Sequence, residues 1–195
     1  MDLAAGRWDR AGVALFLVDW EDPDGERLHL VRGELGDVGV RANGFEAELR
    51  GPAALLERAV VEQTSPECRA ELGDRRCRVD MASRVRVTRV TAAPAETVVV
   101  VADAPAGPGA CAFGRLRWIG GANSGLESRI AASDGVQLIL QEPPHFAIGE
   151  GDLVELAEGC DKSFATCAGR FANAGNFRGE PHLPGMDLLT RYPGA

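Results

Sequence analysis

The sequence predicts a mainly β protein built from two small antiparallel β units. Apolar and polar residues alternate with a period of two, and short Val-rich runs recur along the chain. Gly, Pro and Asp interrupt this pattern about every ten residues, which is typical of antiparallel strands joined by turns. We place the first unit, a sheet with one helix, at residues 1–66, and the second, a barrel- or sandwich-like unit with an irregular tail, at residues 67–195.

Turn-forming residues divide the N-terminal part into two predicted hairpins. In residues 21–25, Pro fixes φ and the following Asp-Gly pair tolerates a positive φ. Asn43 and Gly44 suit the tight turn of a second hairpin. Four strands therefore form the predicted N-terminal sheet. They cover residues 13–20, 28–31, 37–41 and 45–50.

One helix is predicted to follow this sheet. Pro52 suits the first turn of a helix, where the missing N–H has no intrahelical acceptor to lose. Apolar residues then recur at helical spacing and define one face, on which we expect the helix to pack against the sheet. This face consists of Leu55, Leu56, Ala59 and Val60.

The second unit contains a further series of predicted strands. In the clearest one, residues 83–90, Arg and Val alternate, so we expect one buried and one charged face. From Cys160 onward neither period persists and Asn, Gly and Pro are frequent, which predicts an irregular tail. The other predicted strands cover residues 97–102, 112–118, 136–141 and 153–156.

Charge and hydropathy disfavour several functional classes. A formal net charge of -8 argues against a protein that coats DNA or an anionic membrane, since both tasks need a basic surface. No apolar run approaches the roughly 20 residues of a membrane span, and the N-terminus lacks the apolar core of a secretion signal. We expect a protein without a membrane span that folds in the cytoplasm, where cysteines stay reduced or bind metal.

Four of the five cysteines form two local pairs. Eight residues separate Cys68 from Cys77, and six separate Cys160 from Cys167. Two such pairs, far apart in sequence, allow two loops to hold one tetrahedral centre with four thiolates. The spacings match neither the short knuckles of zinc ribbons nor the tight runs of bacterial ferredoxins. Zinc, an iron–sulfur cluster and ordinary buried cysteines therefore all remain open.

The surroundings of the two pairs favour metal binding over simple burial. Basic residues cluster beside both pairs in an otherwise acidic chain, and nearby cations favour the deprotonated thiol. Cys111 has no cysteine neighbour at ligand spacing and is predicted to lie in the core. The basic residues are Arg69, Arg75, Arg76, Arg78, Lys162 and Arg170.

Several segments together resemble the tail-tip hub proteins of gene transfer agents and their prophage relatives. The cysteine region is also similar to the minor tail protein L of phage lambda. Members of this family carry a further segment before the residues that match the start of this chain, so we expect a fragment or a short variant. The resemblance rests on residues 2–9, 18–20, 68–77 and 159–167, on Phe171 and Asn173, and on residues 176–181 and 184–185.

The resemblance implies a virion structural protein rather than an enzyme. It implies a baseplate hub at the tail tip that links the tail tube to cell-contacting proteins and forms part of the DNA conduit. A 4Fe-4S cluster is expected on Cys68, Cys77, Cys160 and Cys167. A homotrimer is expected, with the distal tail protein and tip or fibre proteins as partners, DNA only in transit, and assembly in the bacterial cytoplasm. The alternatives are an iron–sulfur redox protein or enzyme, and the same structural role with zinc.

Overall fold

The computed structural model describes residues 2–57, 59–105, 107 and 109–183 of the chain. The chain divides into two units, Met1–Glu62 and Gln63–Ala195. The first contains a three-stranded sheet and the second a closed six-stranded barrel, which confirms the prediction of a mainly β fold. Pro184 and Gly185, which contribute to the resemblance, lie outside the described residues. No helix in the described part of the chain has the length and apolarity needed to cross a membrane.

The N-terminal sheet is antiparallel, with strand order β1-β2-β3. The two strands predicted at residues 28–31 and 37–41 are one long strand, which has a register shift between Leu35 and Val38. Such a bulge bends a strand without ending it. The strands are β1 (Gly12–Leu17), β2 (Leu28–Arg41) and β3 (Gly44–Arg50).

The helix predicted after this sheet is wrong in type and length. Only a 3-10 helix forms, at Pro52–Leu55, and no side chain caps its start at Gly51. Leu56 and Val60, which were expected to pack on the sheet, are exposed. A short helix without packing of its apolar face is marginal in water, which explains why helical spacing alone was insufficient here.

The second unit is a closed barrel with strand order β4-β5-β8-β7-β6-β9. Its interior is filled by Trp118, Leu116, Ile130 and other fully buried apolar side chains. The predicted strand at residues 83–90 begins at Val85, and its buried face carries Thr88 rather than Val87. The strands are β4 (Val85–Ala95), β5 (Val98–Val101), β6 (Arg115–Trp118), β7 (Glu127–Asp134), β8 (Gln137–Leu140) and β9 (Leu153–Ala157).

The segment after β9 is more regular than predicted. Helix α1 (Phe164–Gly169) begins after Ser163, whose hydroxyl accepts a hydrogen bond from the backbone N–H of Thr166 at 3.1 Å. This is the usual role of a serine N-cap. A 3-10 helix follows at Ala174–Asn176. The C-terminal segment therefore has a defined path from the barrel to the cysteine loops.

Candidate metal centre

The fold brings the two cysteine pairs together within the second unit. Cys68 and Cys77 lie in the loop before β4, Cys160 follows β9, and Cys167 lies in α1. The backbone N–H of Cys68 donates to the carbonyl oxygen of Lys162 at 2.9 Å. This bond joins the loop of the first pair directly to the loop of the second.

Asn173 provides a second connection between the pairs. Its side-chain Nδ2 donates to the carbonyl oxygen of Cys77 at 2.6 Å, and its backbone N–H donates to the carbonyl oxygen of Cys167 at 2.9 Å. In the sequence, Asn173 contributes to the family resemblance and has no predicted role. An Asn six residues after a cysteine carries no general signal, so only the fold reveals this bridge.

The four thiols lie close enough to influence one another electrostatically. Burial raises the pKa of Cys167 most, and the charges of Cys68, Cys160 and Cys77 raise it further. Burial also raises the pKa of Cys160. These raised pKa values favour the protonated thiols. A bound cation would instead favour the thiolates, because thiols lose their protons when they become metal ligands.

The arrangement falls short of a site for a single metal ion. Across the described residues, no three Cys, His, Asp or Glu side chains converge in a way that could hold one. The structure thus gathers the predicted ligands without drawing them to one point.

Backbone and amide N–H groups point at two of the sulfur atoms. The backbone N–H of Arg178 donates to Sγ of Cys68 at 3.3 Å, and Nδ2 of Asn173 lies 3.7 Å from Sγ of Cys77. The backbone of Lys162 hydrogen-bonds Cys160 and opposes the rise of its pKa. Such donors stabilise a thiolate more than a neutral thiol, and at Cys160 the donor offsets part of the effect of burial.

The basic residues around the pairs also form ion pairs. The charge of Lys162 lowers the pKa of Cys160, as predicted, against the larger effect of burial. Three of the basic residues pair with carboxylates at 3.1 Å or less. Arg69 binds both oxygens of Glu180, at 2.7 and 2.9 Å. The other two pairs are Lys162–Glu71 at 3.1 Å and Arg170–Glu158 at 2.7 Å.

Two aspartates shape the cysteine loops. Asp74 accepts hydrogen bonds from the backbone N–H groups of Cys77 at 2.6 Å and Arg76 at 2.8 Å, and the bond from Cys77 contributes most to the net lowering of its pKa. Asp161 accepts from the backbone N–H of Ser163 at 2.9 Å. An aspartate that accepts from a backbone N–H two or three residues later forms a local turn. This tendency of Asp is visible in the sequence alone.

Cys111 is confirmed as a core residue. Its side chain is buried among the apolar residues of the barrel. Burial raises the pKa of Cys111 to about 11, so its thiol is neutral. It therefore serves as an internal control for the other four cysteines.

Comparison with known proteins identifies the family. Residues 1–80 match the model of the baseplate hub protein N-terminal attachment domain, and residues 109–187 match a phage conserved hypothetical protein, BR0599. A chain in the solved virion of a native gene transfer agent particle is 36% identical, with a TM-score of 0.82. That match covers 98% of this chain and 68% of the virion chain. The chain belongs to the baseplate hub family.

Within this family assignment, each cysteine pair lies in a different matched segment. The attachment-domain match includes Cys68 and Cys77, and the second match includes Cys160 and Cys167. No curated protein matches the chain. The expected similarity to the minor tail protein L of phage lambda stays a prediction.

Proposed function

We propose that the chain is an architectural hub of a phage-like tail tip, which links the tail tube to cell-contacting proteins and lines part of the path for DNA. The observation that carries this proposal is the match of 98% of the chain to a chain of a gene transfer agent virion. The attachment domain matched by residues 1–80 supports a role in fastening proteins together. The role needs no catalysis.

The proposed assembly is a homotrimeric ring that contacts the distal tail protein and the tip or fibre proteins. DNA would contact the ring only in transit. The net charge of -8 supports this, because a surface of like charge does not retain DNA. Assembly takes place in the bacterial cytoplasm, and the finished protein resides at the tail tip of the particle.

The proposed cofactor is a 4Fe-4S cluster held by Cys68, Cys77, Cys160 and Cys167. A donor set made only of thiolates suits iron–sulfur clusters and zinc. A single zinc ion needs four sulfurs at about 2.3 Å from one point, whereas each thiolate of a four-iron cluster binds its own iron. The thiols of Cys68, Cys160 and Cys77 all raise the pKa of Cys167, so the four proposed ligands lie in one neighbourhood, as either centre requires.

The proposed role of the centre is to cross-link the fold. When bound, the cluster supplies iron–thiolate bonds between the loop before β4 and the segment after β9. The chain's own groups orient the thiols: Asp74 and Asp161 fix the loop turns, and Asn173 bridges Cys77 and Cys167. The C-terminal segment is then held to the barrel at several points.

Particle production with Cys167→Ser tests this proposal against the redox alternative, with Cys111→Ala as the matched control. Loss of the ligand should release the C-terminal segment and give tails without tips by electron microscopy, while the control gives normal tails and normal DNA delivery. Normal tails that fail to deliver DNA would instead support a redox or enzymatic centre. Normal tails with normal delivery would refute both roles.

A further inference from the structure

Residues 177–180 of the C-terminal segment form a clasp that lies along the loop of the first cysteine pair. The backbone N–H of Arg178 donates to Sγ of Cys68 at 3.3 Å. The carbonyl oxygen of Arg178 accepts from the backbone N–H of Arg69 at 3.0 Å. The clasp therefore touches the sulfur of one proposed ligand and is bonded to the backbone beside it.

The carboxylate of Glu180 fastens the clasp to this loop. Its two oxygens accept from the guanidinium of Arg69 at 2.7 and 2.9 Å, and Oε2 also accepts from the backbone N–H of Ser65 at 2.9 Å. The backbone N–H of Glu180 donates to the carbonyl oxygen of Ser65 at 2.8 Å. Bidentate, charge-assisted bonds are among the stronger hydrogen bonds in proteins, so Glu180 is the main fastening of the clasp.

The middle of the clasp is packed too closely against the loop to accept a side chain. An added Cβ at Gly179 would overlap the carbonyl oxygen of Glu67. On the other side, the ring of Phe177 meets the ring of Phe164 edge-on, with centroids 5.1 Å apart. Because Phe164 begins helix α1, the clasp spans from this helix to the loop of the first pair.

The clasp is independent of the barrel. All of its four residues are described by the structure, and none of them belongs to the buried core. Segments with few buried apolar contacts can open locally while the rest of the fold persists. Cys77 and Cys167 are buried, whereas Cys68 is partly exposed. Opening of the clasp would therefore uncover Cys68 while the barrel stays folded.

We propose that the clasp is a gate for the cysteine centre, and that Glu180 is the positioning residue that keeps it closed over Cys68. Opening of the clasp admits or releases metal at this ligand. Its closing returns the N–H donor of Arg178 to the sulfur, which stabilises the thiolate. The inference rests on the proposed centre only for what passes the gate, because the cover over the thiol is a property of the chain itself.

Alkylation of the reduced, metal-free full chain with iodoacetamide, followed by peptide mass spectrometry, tests the gate. Glu180→Gln removes the charge of the fastening and keeps its volume. It should increase the alkylation rate of Cys68 about tenfold, since the loss of charge-assisted bonds can shift an opening equilibrium by that factor. The rate at the buried Cys167 should stay as in the wild type. Glu155→Gln is the matched control, because Glu155 forms a similar bidentate pair with Arg117 on the barrel, and it should leave both rates unchanged.

Gly179→Ala tests the same gate without a change of charge, because the added Cβ displaces the clasp from the loop. It should give the same selective increase at Cys68. Near-ultraviolet circular dichroism of the buried Trp118 checks that the barrel is intact. Equal rates at Cys68 in the wild type and Glu180→Gln would overturn the inference. A parallel increase at all four paired cysteines would overturn it as well, because it would indicate general loosening.

Release of metal to a chelator from the anaerobically purified full chain gives a second readout. Glu180→Gln should bind as much metal as the wild type and lose it about tenfold faster, in step with the rate at Cys68. An unchanged rate of release would overturn the role of the clasp as a gate. A wild type without metal would refute the proposed centre, while alkylation would still decide whether the clasp covers Cys68, so the two failures are distinguishable.

Discussion

Arg170→Met tests how helix α1 is fastened to the barrel. One terminal nitrogen of Arg170, Nη2, donates to Oε2 of Glu158 at 2.7 Å and to the carbonyl oxygen of Ala110 at 2.8 Å. The other, Nη1, donates to the carbonyl oxygen of Gly159 at 3.0 Å. Met retains an apolar stem against the ring of Phe171, over which the guanidinium lies. The substitution therefore removes the charge and the hydrogen bonds while keeping much of the volume.

The expected loss of stability in Arg170→Met depends on the hydrogen-bonding partners that its neighbours keep. Breaking a buried ion pair costs about 3–5 kcal/mol, but Glu158 keeps Arg84 as a partner at 2.7 Å. The side chain of Arg170 is also 32% exposed, so water can replace part of its hydrogen bonding. We expect Arg170→Met to lower the free energy of unfolding by about 2–3 kcal/mol. Arg84→Met removes one charge-assisted bond to Glu158 and the contact of the guanidinium with the ring of Phe171, and should cost about 1–2 kcal/mol.

Urea unfolding followed by near-ultraviolet circular dichroism measures this difference, because Trp118 is buried inside the barrel. Protection of the C-terminal segment from protease should fall more for Arg170→Met than for Arg84→Met. A larger cost for Arg84→Met would refute the reasoning that Arg170 is the main fastening. A cost below about 0.5 kcal/mol for Arg170→Met, within the usual range of surface substitutions, would refute it as well.

Three further predictions concern the cysteine region. Asn173→Leu should lower the metal content of anaerobically purified protein by elemental analysis, because the amide that donates to Cys77 is lost. Gly159→Ala should reduce the soluble yield, because an added Cβ overlaps neighbouring backbone. The hydrogen bond from Arg69 lowers the pKa of Glu180 from 4.5 to about 2, so its stabilisation is complete above pH 4.5 and is lost towards pH 2. In metal-free protein, pepsin should release the C-terminal segment at pH 4 from Glu180→Gln but only near pH 2 from the wild type.

Most strands were predictable because their signals are local. Turn residues at 21–25 separate β1 from β2 as expected. The turn between β2 and β3 lies at residues 42–43, one position before the predicted pair, because Gly44 already pairs with Arg41. Strand β7 was missed because few large apolar residues besides Ile130 mark its buried face. Helix α1 was missed because six residues are too few for a helical period, although Ser163 is a recognisable cap.

The helix predicted after β3 failed for a different reason. The apolar spacing of residues 55–60 is genuine, but a helix of that length needs a packed face, and Leu56 and Val60 are exposed. Spacing in the sequence reports which residues could share a face. It does not report whether another surface is present to cover that face.

The nearness of the four cysteines was predictable, but the groups that support them were not. Paired spacing singled out Cys68, Cys77, Cys160 and Cys167, and the fold brings them close together. That they hold a metal centre stays a prediction. The expected effect of a nearby cation is seen at Lys162, whose charge lowers the pKa of Cys160 against the larger effect of burial. The ion pairs of Arg69, Lys162 and Arg170 with carboxylates were not predicted. Long-range partners such as Glu180 become visible only in three dimensions.

Iron and acid-labile sulfide analysis of the anaerobically purified full chain tests the proposed centre most directly. We expect a brown protein with iron and sulfide in equal amounts, whose colour is retained in Cys111→Ala and lost in Cys68→Ser. Stoichiometric zinc without iron would contradict the cluster while leaving the cross-linking role. A chain with neither metal, or a Cys68→Ser variant that keeps its iron, would contradict the assignment of the four cysteines.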